Sequence, residues 1–272
     1  MSKIILITGA SRGFGKIWAK TLLERGDKVA ATARNLENLS DLVEEFGDAI
    51  FPVQLDVDDR AACFSAVNKV KEHFGRIDVL INNAGFGVFG AIEETTEQQA
   101  RAQMETNFFG VLWVTQAILP VMREQKEGHI IQVSSYLGLV TLPVLGLYNA
   151  SKYAVNGLSE TLATEVKSFG INVSLIEPNG FSTDWSGASA IQTEANEAYA
   201  PIKKAFFEAG TPDSWGNPST TASAVLELID SENPPLHFLL GKTAYPSVKK
   251  VYGERLAEFE KWKEVSANAH GH

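Results

Sequence analysis

The chain has 272 residues, 44% of them hydrophobic and 21% charged, an ordinary globular usage that excludes disorder and fibrous structure. Lys and Arg total 24 against 33 Asp plus Glu, a formal net charge of -9, so a polyanion meets no general attraction and nucleic acid is not an expected partner. The lone Cys63 has no internal disulfide partner, and a chain of this length buries enough apolar surface to need none; a cytoplasmic protein fits this composition.

Short runs rich in Ile, Val and Leu alternate with stretches of helical period, which predicts strand-helix-strand units and a parallel sheet. Strands are expected near Lys3 to Thr8, Lys28 to Ala33, Ile50 to Leu55, Val79 to Asn82, His129 to Ser134, Asn172 to Glu177 and His237 to Leu240. Helices are expected to start near Gly15, Leu36, Asp59, Thr96, Phe108, Tyr148 and Ser219. Ile4 to Ile7 and Val79 to Ile81 are apolar throughout, as strands covered on both faces are, so the fold class is α/β, doubly wound and Rossmann-like. Ile4 to Ile7 is also too short for a signal-peptide core, and the fold is expected to begin there. Phe108 to Met122, broken by Gly110, Thr115, Gln116 and Pro120, is shorter than the roughly 20 residues of a spanning helix and reads as buried helix. One domain over 1–272 is expected, with a long aromatic-dotted insertion at 181–218.

Thr8 to Gly15 lies where the first strand hands over to the first helix. Gly9, Gly13 and Gly15 allow a tight turn there and let a pyrophosphate approach the free N–H groups of the helix start. The spacing is not Gly-x-Gly-x-x-Gly, so a plain strand-to-helix turn stays open. The second strand ends Ala33-Arg34, with no carboxylate to repel a 2′-phosphate, and Arg34 with Arg12 can clamp one, which favours NADP; both arginines also fit solvated surface charges. Asp56, beside Val57, can accept from an adenine amino group or simply cap a helix.

Tyr148 and Lys152 are four residues apart on one helix face. At about 4 Å and an effective dielectric near 20, an ammonium attracts a phenolate by about 4 kcal/mol, enough to lower a phenol pKa by up to about three units. Such a tyrosine would serve as acid and base near neutrality. Ser135 ends a strand at the carboxyl edge, where open sheets of this kind bind ligands, and can donate to a carbonyl oxygen. Asn82 to Gly85 ends another strand at the same edge, and Asn107 interrupts a helical stretch in a way that can hold a water.

Taken together, the glycine pattern, Asn-Asn-Ala-Gly at 82–85, the Ser135 to Tyr148 separation and Tyr-x-x-x-Lys resemble the short-chain dehydrogenase/reductase family over essentially the whole chain. The resemblance implies a seven-stranded nucleotide-binding fold and hydride transfer between a nicotinamide and a carbonyl or alcohol carbon. By matching position, Tyr148 is the acid/base, Lys152 lowers its pKa and holds the ribose, Ser135 orients the substrate oxygen and Asn107 holds a relay water. Gly9, Ser11, Arg12, Gly13, Phe14 and Gly15 would receive the pyrophosphate side. Arg34, Asp56, Val57, Asn83, Ala84 and Gly85 would line the adenosine and ribose side. Pro178, Gly180, Phe181 and Thr183 would lie by the nicotinamide, although Asn179 stands where the family's glycine is usual; asparagine tolerates a positive φ, and Thr183 also fits an ordinary loop hydroxyl.

In the family the segment after Thr183 covers the substrate, and here it carries Trp185, Tyr199, Phe206, Phe207 and Trp215. With Phe86, Phe89, Leu137, Val144 and Leu145 these residues would line an apolar cleft or pack the lid. The expected reaction is NADPH-dependent reduction of a hydrophobic ketone or aldehyde. An NAD-linked alcohol dehydrogenase and a catalytically idle dinucleotide-binding regulator are the alternatives; a nucleotide-sugar epimerase is disfavoured by the short portion after Thr183. His73, His129, His237, His270 and His272 lack metal-ligand spacing, so no metal is expected, and the last two fall in a polar tail expected to fray. Apolar helices carrying Phe108, Phe109, Trp113 and residues 154–166 suggest a homodimer or homotetramer.

Overall fold

The computed structural model describes residues 2–187, 190–210 and 214–271. The strands are β1 (Ile4–Ile7), β2 (Lys28–Ala33), β3 (Ile50–Gln54), β4 (Val79–Asn82), β5 (Val88–Phe89), β6 (Gly128–Val133), β7 (Ile171–Pro178), β8 (Ile191–Gln192) and β9 (His237–Leu240). Seven of them form one parallel sheet in the order β3-β2-β1-β4-β6-β7-β9. The chain starts in the middle, winds outward to β3, then returns to β4 and winds the other way. The crevice of a doubly wound sheet opens at this reversal, at the carboxyl ends of β1 and β4.

Why these segments read as unbroken apolar runs is visible in the core. Ile5 and Ile7 of β1, Val79 and Ile81 of β4 and Ile131 and Val133 of β6 face one helical layer, with Trp18, Leu22 and Leu228. Leu6, Leu80 and Ile130 face the other layer, with Val67, Ile118 and Leu162. Successive side chains point to opposite faces, and both faces are covered, so every position must be apolar.

The helices are α1 (Gly13–Glu24), α2 (Ser40–Phe46), α3 (Arg60–Phe74), α4 (Glu97–Met104), α5 (Val111–Gln125), α6 (Gly146–Val166), α7 (Ala200–Glu208), α8 (Thr221–Asp230) and α9 (Ala244–Asn268). The Asp59 carboxylate caps α3, accepting from Ala62 N at 3.0 Å. The expected start at Ser219 belongs instead to a short turn capped by Asn217, which accepts from Ser219 N at 3.0 Å, with Pro218 fixing the first φ. The helix expected from Leu36 begins with one tight turn, and that expected at Phe108 is preceded by a wider π-helical turn over Glu105–Gly110. One helix was not expected: α9 runs from Ala244 to Asn268, and His270 lies beyond its end. His272 lies outside the described residues. Among the described residues no helix is long and apolar enough to cross a membrane.

Buried His129 on β6 approaches Ser174 Oγ at 2.9 Å, and that hydroxyl donates to Pro235 O at 2.6 Å. The serine hydrogen is thus used, so the ring donates through Nε2 and is neutral. Burial, helped by the charge of Lys3, pushes its pKa down from 6.5 to about 4. The depressed value means that stability is full above pH 6.5 and falls as the pH drops from 6.5 to 4, by about 3 kcal/mol. Urea midpoints measured across that window should fall for the wild type, and H129Q, which cannot titrate, should flatten that part of the slope.

Candidate active site

At the carboxyl end of β1 the chain turns through Gly9, at φ +66°, with its α-carbon so near β4 that a Cβ would lie 2.9 Å from Ala84 Cα. The turn is tied across the crevice. Thr8 Oγ1 accepts from Asn83 N at 2.9 Å and Ala84 N at 3.1 Å, and Asn83 Nδ2 donates to Thr8 O and Gly9 O, both at 3.0 Å. Gly15 packs inward, where a Cβ would lie 2.4 Å from Gly9 O and 2.5 Å from Asn83 Nδ2. The α1 N-terminus has neither a side-chain cap nor an acidic residue in its first turn, so its N–H groups remain available to an anion.

A continuous cavity of about 1090 Å³ runs along this edge. Gly9, Ser11, Arg12, Gly13 and Phe14 line it beside α1; Arg34, Asp56 and Val57 line one end; Asn83, Ala84 and Gly85 line the floor. Ser135, Tyr148 and Lys152 sit mid-cavity with Pro178, Gly180, Phe181 and Thr183. Gly15 and Asn107 are not part of its lining. Arg34 has carboxylates for company: Asp56 and Asp58 line the same end, and burial, with the charges of Asp56 and Glu105, raises the Asp58 pKa against the opposing Thr106 hydrogen bond and Arg34 charge. Asp56 Oδ1 accepts from Asp58 N, and the helix cap is Asp59 rather than Asp56.

Tyr148 and Lys152, in the first two turns of α6, are 7% and 5% exposed. The expected acidification of the phenol is not what this geometry produces. Lys152 Nζ donates to Val133 O at 2.8 Å and lies 5.6 Å from the centre of the Tyr148 ring, over its face. Burial dominates both groups, raising the Tyr148 pKa well above its ordinary value against an opposing hydrogen bond with Ser135, and pushing Lys152 down to about 8. Ser135 Oγ also accepts from Leu137 N at 3.1 Å, which fixes its rotamer.

Fully buried Asn107 sits in the π-helical turn, and its side chain braces the loop after β4. Nδ2 donates to Phe86 O at 3.0 Å and Ser151 Oγ at 3.1 Å, while Oδ1 accepts from Phe86 N at 3.0 Å. Both amide hydrogens are therefore used within the protein. Asn179 differs too: its φ is not positive. Its amide donates to Thr243 Oγ1 at 2.6 Å, and its Oδ1 covers Gly241 so closely that a Cβ there would come within 1.6 Å. Thr243, at the foot of α9, lines the cavity, a position with no local sequence signal because it depends on the chain folding back over β7.

Beyond Tyr148 the cavity is aromatic. The Trp185 ring lies 4.7 Å from that of Tyr148 and 5.1 Å from that of Phe89, and Phe206 lies 6.5 Å from Phe89. Phe86, Leu137, Leu145, Phe207 and Trp215 also line this end, whereas Val144 packs in the core beside it and Tyr199 turns away to donate to Glu93. Among the described residues no group of three or more His, Cys, Asp or Glu side chains is placed to hold a metal ion.

A family model described as short chain dehydrogenase matches residues 3–194. The chain is 43% identical over 270 residues to an oxidoreductase, BOA17, of Botryotinia fuckeliana, covering 98% of each. It is 40% identical over 243 residues to a 3-ketodihydrosphingosine reductase of Bacteroides thetaiotaomicron, covering 88% of each. A solved short-chain dehydrogenase from Streptomyces avermitilis superposes with a TM-score of 0.92 at 37% identity, covering 98% of each chain. Other structures of this fold hold NADP or NADH. With the sheet reversal, the glycine turn and the Ser135, Tyr148 and Lys152 cluster on one edge, these matches make the chain a member of the short-chain dehydrogenase/reductase family of oxidoreductases.

Proposed function

We propose that the protein is an NADPH-dependent carbonyl reductase acting on hydrophobic ketones or aldehydes. The observation that carries this reading is one cavity with three chemically distinct stretches in series: a helix N-terminus flanked by Arg12 and Arg34, the Ser135, Tyr148 and Lys152 cluster, and a wall of aromatic rings. The dinucleotide, when bound, supplies or takes the hydride. Gly9, Ser11, Gly13 and Phe14 would hold its pyrophosphate at the start of α1, with Asn83, Ala84 and Gly85 beneath. Asp56 and Val57 would meet the adenine, and Pro178, Gly180, Phe181 and Thr183 the nicotinamide side.

Reduction of a carbonyl needs one hydride at carbon and one proton at oxygen. The Tyr148 phenol, with its pKa raised by burial, holds that proton at working pH and gives it up only as negative charge develops on the substrate oxygen beside it. Ser135 donates to the same oxygen. Lys152, mostly charged below about pH 8, places its ammonium beside the phenol and the Gly85 backbone, where it offsets the phenolate left after transfer. Asn107 is a positioning residue, tying Phe86 to Ser151 on α6 and so fixing the floor against the acid. The aromatic wall excludes water and matches an apolar substrate, consistent with the long-chain ketone named for the Bacteroides relative. Pairing through Phe108, Phe109 and Trp113, where Phe108 meets Phe109 edge to face and Phe109 stacks on Trp113, would give a homodimer or homotetramer. The buried lone thiol of Cys63 suits a cytoplasmic setting.

Asp56 and Asp58 beside Arg34 favour a second reading, NAD as cofactor, because carboxylates there repel a 2′-phosphate. Dissociation constants separate the two. NADPH is expected to bind more tightly than NADH, and R34D to weaken NADPH about 10- to 100-fold, the worth of a charge-assisted hydrogen bond, while sparing NADH. Tighter binding of NADH by the wild type would establish the second reading. In a screen of NADPH oxidation against medium- and long-chain ketones and aldehydes, Tyr148→Phe is expected to lower turnover by about 100- to 10,000-fold with cofactor affinity retained.

A further inference from the structure

The outer part of the aromatic wall, Phe206 and Phe207 with Ile191, is borne by residues 191–208, a segment that contributes β8 and α7 and lies outside the main sheet. Its attachment to the body is narrow. β8 pairs with the two-residue β5, through Ile191 N donating to Gly87 O at 2.9 Å and Thr193 N to Phe89 O at 3.0 Å. Gly90 is shaped for this approach, since a Cβ there would lie 2.0 Å from Thr193 Oγ1. Besides an exposed bond from Tyr199 Oη to Glu93, the other attachment centres on one buried carboxylate. Glu94 Oε1 accepts from Asn196 N at 2.8 Å, and Oε2 accepts from Ala91 N at 2.8 Å, Thr193 Oγ1 at 3.1 Å and Lys203 Nζ at 2.6 Å. Its side chain is 1% exposed and that of Lys203 is 18% exposed.

Four donors converge on two oxygens with four lone pairs, and three of the donors belong to the covering segment. Only a carboxylate satisfies all of them, because an amide would turn its N–H group against one of these donors in one orientation and against three in the other. Lys203 lies on α7, three residues before Phe206, so a tie at Lys203 sets where that ring stands over Phe89.

We propose that Glu94 is the latch that seats the substrate-covering segment: a positioning residue that acts through Thr193, Asn196 and Lys203 to hold Ile191, Phe206 and Phe207 as the outer wall of the apolar pocket. The inference rests on reading that pocket as the substrate site. The Lys203 hydrogen bond and the backbone donors hold the Glu94 pKa down at about 2, so the latch persists at every pH above the ordinary carboxylate range and loosens only as the pH falls below it.

The test compares wild type, E94Q and K203M, each checked for an unchanged melting temperature and NADPH dissociation constant. Two readouts are used: the rate of chymotrypsin cleavage at Phe206 and Phe207 in the folded protein, and kcat and KM for a twelve-carbon and a four-carbon methyl ketone. Both variants are expected to speed cleavage and to raise KM for the long ketone about tenfold, the loss of one charge-assisted bond, with kcat and the KM of the short ketone within about twofold. The double variant should be no worse than E94Q, since the two changes break one interaction. Unchanged cleavage, or equal losses for both ketones together with weaker NADPH binding, would overturn the latch. Should E94Q fail to fold, K203M decides. If the wild type reduces no ketone, the carbonyl-reductase reading fails by itself, and cleavage still decides the latch.

Discussion

The site depends on a crossing of two backbone turns. The Thr8 hydroxyl and the Asn83 amide lock the ends of β1 and β4 together at the point where the winding of the sheet reverses, and Gly9 allows the α-carbons to meet. Everything else at the edge takes its place from that contact. The start of α1 is aimed along the crevice, the loop after β4 forms its floor, and Asn107 carries the same constraint on to α6 through Phe86 and Ser151. Each tie is a partly or fully buried hydrogen bond, worth about 1 kcal/mol in net stability but more costly if one partner is removed.

Burial then decides the chemistry. Tyr148 and Lys152 share a low-dielectric site in which desolvation disfavours phenolate and ammonium alike, moving the two pKa values apart, the phenol's up and the ammonium's down. A phenol that stays protonated suits a proton donor to a developing alkoxide. An ammonium near its titration point is sensitive to any charge that enters the cleft. The Val133 carbonyl meets part of the cost of burying that ammonium, and being main chain on β6 it fixes Nζ relative to the sheet rather than to a mobile side chain.

The sheet and the glycine turn were legible because two-sided burial writes contiguous apolar runs and because glycine is nearly obligatory where Gly9 meets Ala84. Spacing also placed Tyr148 and Lys152 on one face. It could not say that Lys152 Nζ would turn to Val133 O, nor that desolvation would outweigh attraction, since both depend on residues distant in sequence. Asn107 was visible as an interruption, but its partners Phe86 and Ser151 were not. The helix α9 was missed although Tyr245, Val248, Tyr252, Leu256, Phe259 and Trp262 recur every three or four residues; from Leu256 onward that stripe is exposed and faces no core. Asn179 was read as a residue for a left-handed turn; its side chain instead reaches Thr243, and Gly241 carries the positive φ.

An apolar pocket whose wall must open for substrate cannot be held shut by apolar packing alone, because the surface that would close it is the surface the substrate has to cover. Fastening at the rim avoids the conflict. Glu94 and Lys203 lie to the side of the aromatic rings, and a carboxylate with four specific donors holds one geometry without adding apolar contact inside the cavity. The short β5–β8 pairing holds the segment at Ile191 and the ionic latch holds it at Lys203, which leaves Phe206 and Phe207 one turn of α7 beyond the last tie. Trp185, whose ring meets those of Tyr148 and Phe89 at a tilt, instead forms the inner part of the pocket, next to the acid.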